Sequence, residues 1–463
     1  MFKSSPIKIG SLLLGGDNPV RLQSMTSTDT LDTLPSVTQC IRIIEAGADM
    51  VRLTTQGIRE AENLAIIRKE IRKAGFDTPL IADVHFNPKV AEVAARLVEK
   101  VRINPGNYVD KRASFSTVDL TEKEYNSELE KIHGRLLPLI RISTENGTAI
   151  RVGVNHGSLS DRIMTRYGNT PKGMAISAME FIRIFDAGNF RNLVLSMKSS
   201  NSLIMIEATM LLVEMMKEEG FSFPLHLGVT EAGEGEDGRI RSALGIGALL
   251  AEGIGDTIRV SLSEPPEREI PVARSIVKHS LLYKESPVDK RAMVYQKDGV
   301  RTLRLAYSED DAEQLAIRAS VDSSVVLTKG LAKDLIILND GCLSKDTIRS
   351  VTDGILQAAR IRITRNDYIS CPTCGRTNFD LADAVARVKK ATSHIKGLKI
   401  AIMGCVVNGP GEMADADYGY VGAAKGLVHL YKGKEAVMKN VPEEEAVTKL
   451  LGIINKDREL PKG

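Results

Sequence analysis

Up to about residue 283 the chain repeats one pattern, a short and almost wholly apolar run that ends in polar residues, followed by apolar residues at three- and four-residue intervals. The runs are VRLQSMT (20–26), MVRLTTQ (50–56), PLIADVH (79–85), KVRINPG (100–106), AIRVGVNHG (149–157), NLVLSMKSS (192–200), PLHLGVTEA (224–232) and DTIRVSLSE (256–264). A strand covered on both faces has no polar side to alternate with, so such runs, without hairpin-length spacing between them, read as buried parallel strands. LPSVTQCIRIIEAGA, REAENLAIIRKEIRKAG, PKVAEVAARLVEK and SLIMIEATMLLVEMMKEEG read as the helices between them, several stopped by glycine. Eight such units predict an α/β fold of the (β/α)8 type, the TIM barrel. An open doubly wound sheet would need fewer strands and a glycine-rich first turn, which is absent.

In such a barrel the chemistry lies at the C-terminal ends of the strands. Those ends carry Arg52, Arg102, Arg151, Lys198 and Arg259, accompanied by Asp83, His85, Asn104, Asn155, Glu231 and Ser261. One arginine in a strand is ordinarily an edge residue whose stem packs while its head reaches water. Five cations from five strands, converging on one mouth, point instead to a multiply phosphorylated small molecule, because guanidinium forks match phosphate oxygens in pairs. The turn NPGN (104–107) offers backbone amides, whereas the acidic GEGEDG (233–238) reads as a cap and turn. The formal net charge of +3 gives no reason to invoke nucleic acid or an anionic membrane. Aromatic residues at 4%, with no tryptophan, leave little on which bases could stack. No apolar stretch is long enough to span a bilayer, and MFKSSPIKIGSLLLGG lacks the pattern of a secretory or transit peptide, so a cytoplasmic enzyme is expected.

A chain of 463 residues implies two or three domains. The divisions expected are a substrate-binding barrel (1–283), a small α/β spacer (284–364) and a C-terminal α+β domain (365–463). In the spacer, RTLRLAY, SSVVLT and KDLIILNDG read as strands and LSKDTIRSVTDGILQAARIRI as a helix. In the last domain, IAIMG, GYVG and LVHLYKG read as strands and PEEEAVTKLLGIINK as a closing helix. Three of the five cysteines fall here, Cys371 and Cys374 in CPTCG and Cys405 in MGCVVNGPGE. Three thiolates can hold three corners of a cubic iron–sulfur cluster and leave one iron open. The same spacing suits structural zinc completed by His394 or His429, and the residues by themselves leave both readings open. Cys40 and Cys342 read as buried thiols.

LQSMT, ADVHFNPKVA, VRINPGN, IRVGVNHGSLSDRIM, SMKSSN, LHLGVTEAGEGEDGR, GDTIRVSLSEPP, ISCPTCGRT and IAIMGCVVNGPGEMADADYGYVG together closely resemble the 4-hydroxy-3-methylbut-2-en-1-yl diphosphate synthase family of the methylerythritol phosphate route to isoprenoids. The likeness covers residues 1 to 283 and 365 to 463. The long spacer DKRASFSTVDLTEKEYNSELEKI resembles the plant-type branch, although the middle segment is too short for that branch's inserted second barrel, which takes about 250 residues. It reads as a shortened remnant.

The resemblance implies reductive dehydroxylation and ring opening of 2-C-methyl-D-erythritol 2,4-cyclodiphosphate, with two electrons from ferredoxin or flavodoxin. It implies a [4Fe-4S] cluster on Cys371, Cys374 and Cys405, with Glu412 on the fourth iron at rest and Asn408, Gly409, Pro410 and Gly411 as the turn that aims it. Arg52, Arg102, Arg151, Lys198, Arg259 and Ser261, helped by Asn104 and Asn155, are then the diphosphate contacts. Glu231 becomes the proton donor to the departing C3 hydroxyl, while Asp83 and His85 orient the others. Family members close the site either across a homodimer or within one chain. The rival reading is a non-redox barrel enzyme for a phosphorylated substrate, with a zinc-stabilised tail.

Overall fold

The computed structural model describes residues 2–109, 118–285, 292–371, 377, 379–406, 413 and 416–459. A hairpin opens the chain, β1 (Ile7–Ile9) and β2 (Leu12–Leu14), with Gly10 at φ 61° in its turn. The strands β3 (Arg21–Met25), β4 (Met50–Thr55), β5 (Leu80–Val84), β6 (Lys100–Ile103), β7 (Ala149–Asn155), β8 (Leu193–Lys198), β9 (His226–Leu227) and β10 (Thr257–Ile258) follow. These eight pair in parallel in the order β8-β7-β6-β5-β4-β3-β10-β9, and a parallel bridge between Leu195 and Leu225 joins the two ends into a barrel. All eight predicted runs are therefore strands, the last two regular over only two residues each. The hairpin was not legible in the sequence. Its Ile7, Ile9 and Leu14 pack on Met50, Ile81, Ala149 and Val194 near the starts of the barrel strands and plug the N-terminal end with apolar side chains. The barrel thus opens at its C-terminal end alone.

The described end of the long spacer before β7 enters a helix, Glu122–Asn146, opened by a capping box between Thr121 and Glu124. Tyr125 on that helix donates to Glu180, which Arg162 grips with both nitrogens at 2.9 and 2.8 Å, so the helix braces the segment that follows β7.

After the last barrel helix, Glu269–Glu285, comes a three-stranded sheet of β11 (Ala292–Lys297), β12 (Val300–Tyr307) and β13 (Asp334–Asn339). SSVVLT, expected as a strand, is instead the end of the helix Ala312–Thr328. Its β-branched run suggested a strand, but Asp311 caps the helix by accepting from the amides of Glu313 and Gln314. Leu315, Ala316, Ala319, Val326 and Leu327 are then buried at helical spacing. Tertiary packing overrides local propensity here. The same core takes in Ile240 and Leu244 from the barrel helix Gly235–Ala251, so this module is fused to the barrel wall.

The C-terminal sheet runs β14 (Asp367–Ser370), β15 (Lys399–Met403), β16 (Tyr418–Ala424), β17 (Leu427–Lys432) and β18 (Glu435–Pro442). The first three strands are parallel and the last two turn back antiparallel. Helices Leu381–Thr392 and Glu443–Glu459 cover one face through Val385, Val388, Leu450 and Ile454. The three predicted strands and the closing helix are present. The sequence reading missed β14 and β18.

Candidate active site at the barrel mouth

Strand register builds the mouth. Asp83, Arg102 and Arg151 are direct neighbours across β5, β6 and β7, and Asn155 pairs with Lys198 one strand further on. Arg52, Arg102, Arg151, Lys198 and Arg259 are 9%, 4%, 1%, 5% and 3% exposed, so all five expected cations are held inside the barrel wall. A sixth, Lys100, is completely buried and lies two residues before Arg102 on the same strand face. Period-two alternation in KVRI already contained that signal.

Each guanidinium is held by the scaffold. Arg52 directs Nε and Nη2 at the Met25 thioether, 3.1 and 3.0 Å away. Arg102 donates through Nη1 to His85 Nε2 at 2.8 Å and lies 3.3 Å from Asp83 Oδ1. Its Nη2 reaches the Gly153 carbonyl at 3.1 Å and Asn155 Oδ1 at 3.3 Å. The same Nε2 lies 3.3 Å from Asp83 Oδ2, so the imidazole stands between the guanidinium and the carboxylate. Arg151 reaches Ser196 Oγ at 3.3 Å, and its buried Nε has no partner among the described residues. Arg259 forks onto Glu269 at 3.2 and 3.0 Å, and Glu269 also accepts from Ser24 Oγ at 2.6 Å and from the Leu262 amide. Glu269 is 1% exposed and was missed by the sequence reading, since nothing local marks the first residue of a helix as the partner of a strand ten residues earlier. Lys198 Nζ rests against Gly228, where a Cβ would collide with that ammonium and with the Arg259 carbonyl.

So many buried cations repel one another. Burial, followed by the charges of neighbouring arginines, pushes Lys198, Lys100 and Arg151 well below their ordinary values, and the same causes bring Arg52 down to about 10. Burial raises the Asp83 carboxyl, but Arg52, His85 and Arg102 outweigh it and hold the group well below the usual carboxylate range. A polyanion entering the mouth would relieve this repulsion.

The other expected residues are distributed around the cup. Asn104 caps the short turn Pro105–Tyr108, accepting from the Gly106 amide and donating to Ser158 Oγ at 2.8 Å, so its carboxamide holds the loop at the mouth. Ser261 is buried two residues beyond Arg259. Glu231 is 6% exposed and takes a left-handed backbone, φ 49°, which few non-glycine residues adopt outside functional sites.

Cys371 and Cys405 follow the ends of the adjacent parallel strands β14 and β15, and both are partly exposed. The Gly404 amide donates to Cys371 Sγ at 3.1 Å, the kind of hydrogen bond that tunes cluster sulfurs. These two thiols fit an iron–sulfur cluster. Cys374, Asn408, Gly409, Pro410, Gly411 and Glu412 lie outside the described residues. His429, offered above as a zinc ligand, accepts the Asn440 amide at its Nδ1 between β17 and β18. Cys40 is buried as expected, its thiol pushed up to about 12 by burial. Cys342 departs from the expectation and is exposed, because Asp310 ties its amide at 2.7 Å in a surface turn.

The strand that leads to Cys371 docks on the rim of the same chain's barrel. Ala232 and Ser370 form a parallel bridge, and Ser263 Oγ lies 2.8 Å from Ser370 Oγ while donating to the Cys371 carbonyl at 3.2 Å. Arg241 donates to the Tyr368 carbonyl at 2.8 Å and pairs with Asp367. Ser263, Ala232 and Arg241 all belong to segments that follow β9 and β10, so the strand end that bears Cys371 meets the rim of the barrel's cationic end.

Residues 4–274 match the GcpE TIM-barrel domain and residues 367–456 the GcpE protein C-terminal domain. The chain is 44% identical to the 4-hydroxy-3-methylbut-2-en-1-yl diphosphate synthase (flavodoxin) of Bacteroides thetaiotaomicron, over 98% of each chain. It is 44% identical to the enzyme of the same name from Phocaeicola vulgatus, over 98% of this chain and 97% of that one. It is 42% identical to the 4-hydroxy-3-methylbut-2-en-1-yl diphosphate synthase (ferredoxin) of a Synechococcus species, over 97% of this chain and 93% of that one. The alignment to the Bacteroides protein runs over 599 positions against 463 residues here, so that relative carries insertions this chain lacks.

Proposed function

The chain belongs to the GcpE family, and from that membership and the geometry of the mouth we propose that it reduces 2-C-methyl-D-erythritol 2,4-cyclodiphosphate to 4-hydroxy-3-methylbut-2-enyl diphosphate. The ring C–O bond to phosphate opens, the C3 hydroxyl leaves as water and a carbon–carbon double bond forms, consuming two electrons and two protons. Ferredoxin or flavodoxin delivers the electrons, in line with the names of the relatives. Cys371, Cys374 and Cys405, with Glu412 as a replaceable ligand, would hold a [4Fe-4S] cluster, which would supply one-electron transfer to the substrate.

The remaining work belongs to side chains. Arg52, Arg102, Arg151, Lys198 and Arg259 grip the diphosphate and stabilise the phosphate oxygen that gains charge as the ring opens. Ser261 and Asn155 add hydrogen bonds, Asn104 shapes the loop, and Asp83 with His85 holds Arg102. Glu231 passes a proton to the departing hydroxyl. Docking of the C-terminal domain excludes water from the cup, and the site closes within one chain without a homodimer partner. On this reading residues 1–283 bind substrate, 284–364 are a spacer fused to the barrel, and 365–463 carry the cluster. Among the described residues no helix is long and apolar enough to cross a membrane, and a cytoplasmic location is part of the proposal.

The observation that supports this reading most is the contact of Ser263, on the barrel rim after β10, with the Cys371 carbonyl of the same chain. The test is anaerobic purification with iron and sulfide assays, followed by turnover of the cyclodiphosphate with a chemical reductant. Iron, sulfide and product support the reading. Zinc in place of iron, or a fully loaded protein that makes no product, overturns it.

A further inference from the structure

Resting on that reading, we infer that Ser263 is a positioning residue whose hydroxyl sets where Cys371 stands relative to the substrate. Three facts converge on it. Ser263 is 6% exposed on the loop after β10, and its amide donates to the Gly233 carbonyl at 2.9 Å, so it is locked to the neighbouring rim loop that carries Glu231. Its hydroxyl has one proton. Because that proton goes to the Cys371 carbonyl, the Ser370 hydroxyl, 1% exposed, donates to Ser263 Oγ at 2.8 Å. Both hydroxyls are then satisfied by one another and by the cysteine's own carbonyl, with little water to substitute if either is removed.

The placement matters because β14 is the edge strand of its sheet and pairs with β15 on one side only. Its other side meets the barrel through the Ala232–Ser370 bridge and the two bonds from Arg241. Arg241 acts at Asp367 and Tyr368, at the start of the strand. Ser263 acts at its end, on the cysteine's own carbonyl. Glu231 is one residue from the bridged Ala232, so the contact that fixes Cys371 also fixes the backbone of the proton donor. Ser263 therefore couples the two partners that must meet at the substrate, although it touches neither substrate nor iron.

The test uses the full-length iron-loaded enzyme with Ser263→Ala and Ser263→Thr. Loss of the hydroxyl is expected to lower kcat about tenfold, since small misplacements at an assembled site cost one to two orders of magnitude, with KM and iron content unchanged. Threonine, which keeps the hydroxyl, restores most of that loss. Amide hydrogen exchange in β14, read without substrate, is expected to quicken about tenfold in the alanine variant while the barrel strands stay as protected as in wild type. Wild-type kcat together with wild-type exchange in Ser263→Ala overturns the inference, as does loss of iron in that variant, which would mean that Ser263 only supports folding of the cluster domain. A wild-type enzyme that is loaded and inert sinks the proposed function instead, and the exchange measurement still decides the docking role of Ser263.

Discussion

At the barrel mouth the cationic side chains hang from the barrel strands or from the residue just beyond them and are at most 9% exposed, whereas Cys371 and Cys405 sit past strand ends and are partly open. The two regions bear different costs. The barrel gives up stability to hold cations out of water before any ligand arrives, and its closed ring of strands keeps their geometry fixed. The cysteine-bearing ends stay partly open, and the strand that leads to Cys371 gains its position from a seam of a few hydrogen bonds and ion pairs. Recognition is built into the fold of one domain, while reach is built into the docking of another.

The widest separation between the two regions is expected from Cys371→Ser. Iron content drops and turnover falls below about a thousandth of wild type, yet affinity of the barrel for inorganic pyrophosphate, measured by calorimetry, stays within about threefold. A large loss of pyrophosphate binding would show that the cup is not independent of the cluster domain.

Glu269→Gln attacks the other side. It leaves Arg259 buried without its counter-charge, which is expected to cost about 3 kcal/mol in urea unfolding. An effect under about 1 kcal/mol would mean that the ring of cations is less tightly braced than the bonds to Glu269 imply.

Smaller still is a pH effect confined to the barrel. Lys100 and Lys198 are pushed below their ordinary values on folding, so the unfolded chain binds more protons and stability rises as pH climbs toward the ordinary lysine value of about 10.4. Asp83, also pushed below its ordinary value, has the same sign in a much lower pH window. Its contribution is complete above the ordinary carboxylate range and is lost only as pH falls below it. Melting of the ligand-free protein is expected to shift upward by a few degrees between pH 7 and 9.5, and saturating pyrophosphate should flatten that slope. A flat curve without ligand would contradict the crowding of charge at the mouth.

At the seam, Lys389→Ala removes a 2.9 Å pair with Glu234 whose partners are 31% and 29% exposed. Such a pair contributes less than about 1 kcal/mol and fades with salt, so the urea midpoint should barely move. A larger shift would make the seam a network of coupled charges instead of a few independent contacts.

The chain announced its barrel because buried parallel strands write themselves locally, as apolar runs closed by the polar residues they present at the mouth. That is why all eight strands, and the five cations that the structure buries at the barrel mouth, were legible. Short or edge elements were not. The hairpin β1–β2 and the strands β14 and β18 carry too few residues or too little pattern, and the helix Ala312–Thr328 hides a β-branched tail that only its packing explains. Tertiary structure alone decided which groups meet. Glu269 grips Arg259 and Ser24 from a different element, and Ser263 reaches a cysteine more than a hundred residues away in sequence. A local pattern records how each segment is buried, but the partner of a buried polar group is chosen by the path of the whole chain, and no window of sequence contains it.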